Sequence, residues 1–131
     1  MYKVQFVLSS FDGPSPEAGL VLNVLLQALT SVNILWLRRN QSAPSLYASG
    51  VRYKREPQGR EDWQDIPETI SRRDGDCEDL ACWRSAELIV RHNIRAFPVF
   101  RWRKRPTGIL YHIQVQYPDG RIEDPSKLLG M

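Results

Sequence analysis

Two cysteines, two histidines and scattered carboxylates are the groups in this chain that could do covalent or acid–base chemistry, and three short stretches concentrate them. They are Gly75-Asp76-Cys77-Glu78-Asp79-Leu80-Ala81, Tyr111-His112-Ile113-Gln114-Val115 and Glu123-Asp124-Pro125-Ser126. A nucleophilic thiol must ionise, be reachable and have a base beside it. Asp76 is a good helix cap, so Cys77 falls in the first turn of a helix, where free backbone N–H groups and the helix dipole favour negative charge. The same N–H groups would serve an oxyanion. Against this, Asp76, Glu78 and Asp79 crowd negative charge around the sulfur, and a cationic histidine has to outweigh them.

Only one histidine can reach. His92 lies near the far end of the same helix, roughly 22 Å along its axis. His112 lies in a strand beyond that helix, where Ile109, Tyr111, Ile113, Val115 and Tyr117 mark a core face and Leu110, His112, Gln114 and Gln116 the opposite, more polar face. His112 is therefore expected to look toward a cleft. Register arithmetic tests Asp124 as its partner, with the outcome depending on the loop. A two-residue Asp119-Gly120 loop would set Asp124 opposite Val115, on the wrong face. A three-residue loop, Pro118-Asp119-Gly120 with Gly120 left-handed, pairs Tyr117 with Arg121 and sets Asp124 opposite Gln114, one diagonal step from His112. Such an aspartate would orient the imidazole in a triad of nucleophile, base and orienter.

These three motifs, in this chain order, resemble the transglutaminase-like branch of the papain-like cysteine peptidase superfamily over about residues 60 to 131. The resemblance implies thiol acyl transfer on peptide or amide bonds: hydrolysis when water accepts the acyl group, cross-linking when an amine does. It assigns Cys77 as nucleophile, His112 as base and Asp124 as orienter. It also points to an upstream Trp or Gln as oxyanion donor, for which Trp63 and Gln64 are the candidates. Short members with a GDCEDLA-like stretch are associated with bacteriophages and bacteria. The competing expectation is a non-catalytic structural or assembly protein of the same fold, such as a phage particle component. The acidic neighbours of Cys77, the unassigned oxyanion donor and the small size motivate it.

The positioning elements follow from pattern. Tyr2 to Leu8 reads as a strand ending in the turn residues Ser9 to Pro14. Ser15, Pro16 and Glu17 open a helix running to about Thr30, which either continues through Ile34 to Leu37 or breaks near Ser31, with Arg38-Arg39 suiting a helix end. Residues 40 to 75 read as loop with a short strand at Val51 to Arg55. A helix over Cys77 to Arg91 is followed by strands over Arg95 to Trp102, Ile109 to Tyr117 and Arg121 to Glu123. The expected class is α+β, with N-terminal helices and the cysteine-bearing helix packed on an antiparallel meander.

The 131 residues suffice for one domain spanning 1–131. Two cysteines in a chain of this size exclude a disulfide scaffold and fit a reducing compartment, so the cytoplasm is the expected address, with the virion as alternative. Ala18 to Leu37 is uncharged and about long enough to span a bilayer, but Asn23, Gln27, Thr30, Ser31 and Asn33 interrupt it, so a soluble amphipathic helix is expected rather than a membrane span. It starts late and lacks a basic leader, unlike a signal peptide. The run Arg101-Trp102-Arg103-Lys104-Arg105 reads as a solvated hairpin end, since a net charge of +3 is low for a phosphate-dependent binder of nucleic acid. Cys77 and Cys82 lack a second ligand pair for zinc, and no phosphate loop or calcium loop is present, so no cofactor or metal is expected. The partner implied is a peptide or protein substrate.

Overall fold

A computed structural model describes residues 5, 16–57, 61–106 and 108–131, with the backbone alone at 16, 103–105 and 108–110. Apart from Gln5, which belongs to no element, the strand expected at Tyr2 to Leu8, the turn after it and the Ser15 cap lie outside the described residues. Helix α1 runs unbroken over Pro16–Arg39, with Glu17 in its first turn and Arg38 and Arg39 in its last, each charge opposing the nearby dipole end. Nothing in the Ser31 region breaks it: Thr30 and Ser31 turn their hydroxyls back onto Leu26 O and Gln27 O, at 2.8 Å each, and leave the backbone ladder intact.

The polar residues of α1 do not form one outward stripe. Asn23, Gln27 and Ser31 are exposed, but Thr30 and Asn33 are buried among Leu26 and Leu37, while Leu20, Val24, Val32 and Leu35 face outward. Asn33 is inside because its Oδ1 accepts the Ile66 N–H at 3.0 Å, which anchors a later helix. The stretch Glu17–Arg39 is long and apolar enough to cross a membrane, with 22% of its apolar window buried, and it packs against the central helix and the first long strand.

Residues 40 to 75 hold more structure than their prolines suggested. A 3₁₀ turn (Leu46–Ala48), strand β1 (Arg52–Tyr53), helix α2 (Ile66–Arg72) and strand β2 (Asp74–Gly75) occupy them. Asp65 caps α2, its Oδ1 accepting the Glu68 N–H at 3.1 Å, and Arg73 ends it in the left-handed region at φ 65°. β1 and β2 pair in parallel, Arg52 with Asp74 and Tyr53 with Gly75. Helix α3 (Cys77–His92) follows, capped by Asp76 and closed by left-handed Asn93. An antiparallel sheet of β3 (Phe97–Arg105), β4 (Gly108–Gln116) and β5 (Ile122–Glu123) comes next, and helix α4 (Pro125–Leu128) ends the described chain.

The class is α+β. α3 is its axis, because its buried residues serve two apolar clusters. Cys77, Ala81, Cys82 and Leu88 meet Leu26, Ala96, Ile113 and Val115 on the sheet side. Leu80, Trp83 and Ala86 meet Leu37, Leu46, Val51, Ile66 and Leu129 on the other. A helix buried on so many sides fixes its own N-terminus within the body, and the residues there are held accordingly. Gly75 suits this point: a Cβ would lie 3.2 Å from both Asp79 Cβ and Thr69 Cγ2, so a side chain would require these neighbours to give by a few tenths of an ångström.

Candidate active site

The start of α3 is knotted by carboxylates. Asp76 Oδ1 accepts the Cys77 N–H at 2.7 Å, and Asp76 and Asp79 form a reciprocal capping box in which Asp79 Oδ2 accepts the Asp76 N–H at 3.0 Å. The other Asp76 oxygen accepts the Glu56 N–H at 2.9 Å. The first-turn N–H group of Cys77, expected to be open to an oxyanion, is therefore occupied by its own cap.

Cys77 is 7% exposed and lies in the sheet-side cluster against Ile113 and Val115. Its thiol donates to Glu78 Oε2 at 3.4 Å. Burial, then Glu78 and Asp76, push the thiol well above its ordinary range, and the Ile113 N–H facing the sulfur does not offset them. The cysteine is a protonated thiol in this arrangement, so the dipole advantage of the first turn is outweighed. Glu78 is itself 2% exposed, with Oε1 lacking a hydrogen-bond partner, and burial followed by Asp79 and Asp76 raises its pKa too. Burial lifts Asp79 to about 8 although it accepts from Gln64 and Asp76. Carboxylate oxygens of Glu56, Glu78 and Asp79 lie within 4.8 Å of one another. Among the described residues, no Lys or Arg forms an ion pair with any of them or with Asp76. Crowded carboxylates do not by themselves make a metal site, and none is assigned.

The second half of the site is built by β4 and β5. Tyr117 N–H donates to Arg121 O at 2.9 Å, Gly120 has φ 89°, and Val115 pairs with Glu123, so the connection is the three-residue loop. Asp124 thereby follows Glu123 into position beside Gln114 and His112. His112 Nε2 lies 2.9 Å from Asp124 Oδ2, which also accepts from Gln114 Nε2 at 3.1 Å, while Oδ1 accepts the Lys127 N–H at 3.3 Å and caps α4. Burial would raise the Asp124 pKa, but the hydrogen bonds from Gln114, His112 and Lys127 together hold it below the usual carboxylate range. Nδ1 of His112 has no hydrogen-bond partner among the described residues.

The fold thus joins His112 to Asp124 and brings the Cys77 sulfur to the backbone N–H of Ile113, the residue after His112. It does not join sulfur to ring: among the described residues no hydrogen bond links Cys77 and His112. Ile113 points to α3, so by strand alternation His112 points to the other side, with Gln114 and Asp124. Both proposed oxyanion donors are close to the start of α3 but engaged. Trp63 packs on the cluster containing Cys77 and gives its indole N–H to Glu61 Oε2 at 3.2 Å. Gln64 gives its backbone N–H and its Nε2 to Asp79, at 2.7 and 3.3 Å. His92 is exposed at the far end of α3, and Cys82 is fully buried with its thiol on Leu26 O.

Three residues at this site were not singled out from sequence. Glu56 and Glu61 arrive from the segment before α2, and Tyr111, read there only as core, is 37% exposed with its hydroxyl on Glu61 Oε1 at 2.9 Å. Alternation marks the face of Tyr111 but not its partner, and no local pattern announces Glu56. Compared with protein-family models, with curated proteins and with solved structures, the chain matches none.

Proposed function

We propose that this chain is a thiol-dependent acyl-transfer enzyme of transglutaminase-like type, acting on an amide bond of a peptide or protein through Cys77, His112 and Asp124. The observation that carries the reading is the 2.9 Å contact of His112 Nε2 with Asp124 Oδ2, an imidazole held by a carboxylate; the Cys77 sulfur lies on the other face of β4, against the Ile113 N–H, so the reading requires a rearrangement that brings sulfur and ring together. In the reaction, once that rearrangement has joined them, the thiol gives its proton to Nδ1 and the sulfur attacks the carbonyl carbon. The imidazolium then protonates the departing amine, leaving a thioester that water or a second amine resolves. Asp124 fixes the ring throughout. α1 serves as a helix of the folded body in this reading, with the cytoplasm as site of action. Cys77→Ala is expected to lower peptide hydrolysis or amine incorporation by roughly 10⁶-fold, the scale of losing a triad nucleophile elsewhere. Retention of wild-type activity by that variant ends the proposal.

A second reading is favoured by the burial of Cys77 and the occupation of its N–H group by Asp76. In it the chain is a non-catalytic structural or assembly protein of the same fold, as in a phage particle. Electrophile labelling mapped by mass spectrometry separates the two. Rapid modification of Cys77 in the free protein supports the enzyme, whereas an inert thiol in a chain stably assembled with other proteins supports the structural role.

A further inference from the structure

We infer that Glu56, Glu78 and Asp79, with the side-chain carbonyl of Gln64, form a site for a hard divalent cation, calcium foremost. The three carboxyl groups alone assign nothing, but two orphaned oxygens stand among them. Gln64 is 4% exposed and gives its Nε2 to Asp79 Oδ2 at 3.3 Å. Its Oε1, on the same amide carbon, therefore lies beside that carboxylate, and no hydrogen bond reaches it. Glu78 is 2% exposed, and its Oε1 is without a donor as well. A buried oxygen left without a donor is costly unless something positive meets it. Protein cations do not: among the described residues no Lys or Arg forms an ion pair with Glu56, Glu78 or Asp79.

The spacing suits one ion. Oxygens of Glu56, Glu78 and Asp79 lie within 4.8 Å of one another, and opposite oxygen ligands of a single calcium stand about 4.8 Å apart. All four donors are oxygen, the ligand type of calcium, magnesium and manganese. Calcium fits best because it accepts irregular geometry, whereas magnesium demands a near-ideal octahedron. Glu56 is half-buried, so water can complete the shell from its side. The neighbouring set of Asp76, Cys77 and Glu78 is equally close-spaced and, with its sulfur, would suit zinc. Both Asp76 oxygens there already accept backbone N–H groups, from Cys77 and Glu56, and the thiol is protonated. The bound cation would join Glu56 and Gln64, ahead of α2, to the first turn of α3.

The test uses the whole chain, freed of metal with EDTA, at about pH 8.5, because ligation displaces the protons that burial favours on Glu78 and Asp79. Terbium is titrated in, its emission excited through Trp63 beside Gln64, and is then displaced with calcium, magnesium or zinc. One saturable site is expected, from which calcium displaces terbium at about 10⁻⁴ M or below and magnesium more weakly, and calcium should raise the midpoint of thermal unfolding. Glu56→Gln keeps an oxygen for the Asp62 N–H but removes the charge, and Glu78→Gln does the same toward the Cys77 thiol; each is expected to weaken calcium roughly tenfold or more. Gln64→Met removes the orphaned carbonyl at similar length and should weaken calcium roughly threefold or more. Glu61→Gln, outside the set, should stay within about twofold of wild type. Folding of each variant is checked by circular dichroism. Absence of saturable binding, terbium that calcium does not displace, or calcium affinities within about twofold of wild type in folded Glu56→Gln and Glu78→Gln overturn the site. So does a zinc-only site lost in Cys77→Ser, which would assign the cluster to the sulfur.

Discussion

Helix α3 buries carboxyl groups at both of its ends, and it does so in opposite ways. Toward the C-terminal half, Glu87 is 1% exposed but takes Arg84 at 2.7 Å, Arg91 at 3.6 Å and the Leu46 N–H at 3.0 Å. Glu123 meets the same Arg84 at 2.7 Å and accepts the hydroxyls of Tyr47 and Tyr117, both at 2.6 Å. At the N-terminal end Glu78 and Asp79 are as deeply buried, with Glu56 close by, and no cation answers them among the described residues. Paired with cations, the carboxylates at one end keep their charge when buried; without them, burial pushes Glu78 and Asp79 toward the neutral form, Asp79 to about 8. Under the reading proposed above, the unpaired end is the one that carries the nucleophile, and the paired end serves packing.

The largest effect should come from breaking the paired end. Arg84→Met leaves Glu87 with the Leu46 N–H and the longer Arg91 contact, and Glu123 with its two tyrosines, and is expected to lower the free energy of unfolding in urea by about 3–5 kcal/mol. A loss under about 1 kcal/mol would erase the distinction between the two ends. Acidity probes the unpaired end. A carboxylate raised in the folded state contributes stability that is complete below its unfolded value and is lost as pH rises through its folded one; for Asp79 that window runs from 3.8 to about 8. Asp124 and Glu123 are held low and act in the opposite sense, but only as pH falls toward and below the ordinary carboxylate range. Unfolding free energy should therefore decline between pH 5 and 8, on the order of 2 kcal/mol, with the slope reduced in Glu78→Gln. A flat or rising profile there contradicts the contrast. The smallest change belongs to the surface: Arg72 bridges Asp62 and Glu68 in the open, and Arg72→Ala should cost under about 0.5 kcal/mol.

Local chemistry was the legible part of this molecule. Asp76 before an apolar periodicity located α3, and the turn residues Pro118 to Gly120 narrowed the register to two loops, of which the three-residue one brings Asp124 to the face of His112. The α2 signal was equally local, Asp65 with Glu68 three residues on, but Pro67 and the polar surroundings masked it inside a stretch read as loop. What pattern did not reach was long-range. That Asp76 spends an oxygen on the Cys77 N–H, that residues 61 to 64 fold over the start of α3, and that the thiol turns toward Glu78 all depend on packing between segments distant in sequence. Thr30 and Asn33 make the same point, since polarity predicted an outward face and a hydrogen bond to Ile66 drew Asn33 inward.

Asp124 is also the cap of α4, and α4 is tied back across the molecule: Leu129 O accepts the Tyr53 N–H at 3.0 Å, and the next residue, Lys54, donates to Gly75 O at 2.9 Å, immediately before the cap of the cysteine helix. One continuous train of backbone and side-chain bonds thus runs from the imidazole to the sulfur by the long way round. The circuit makes Tyr53 and Lys54, which never approach the reacting atoms, the residues whose backbone ties the two halves of the site to one another.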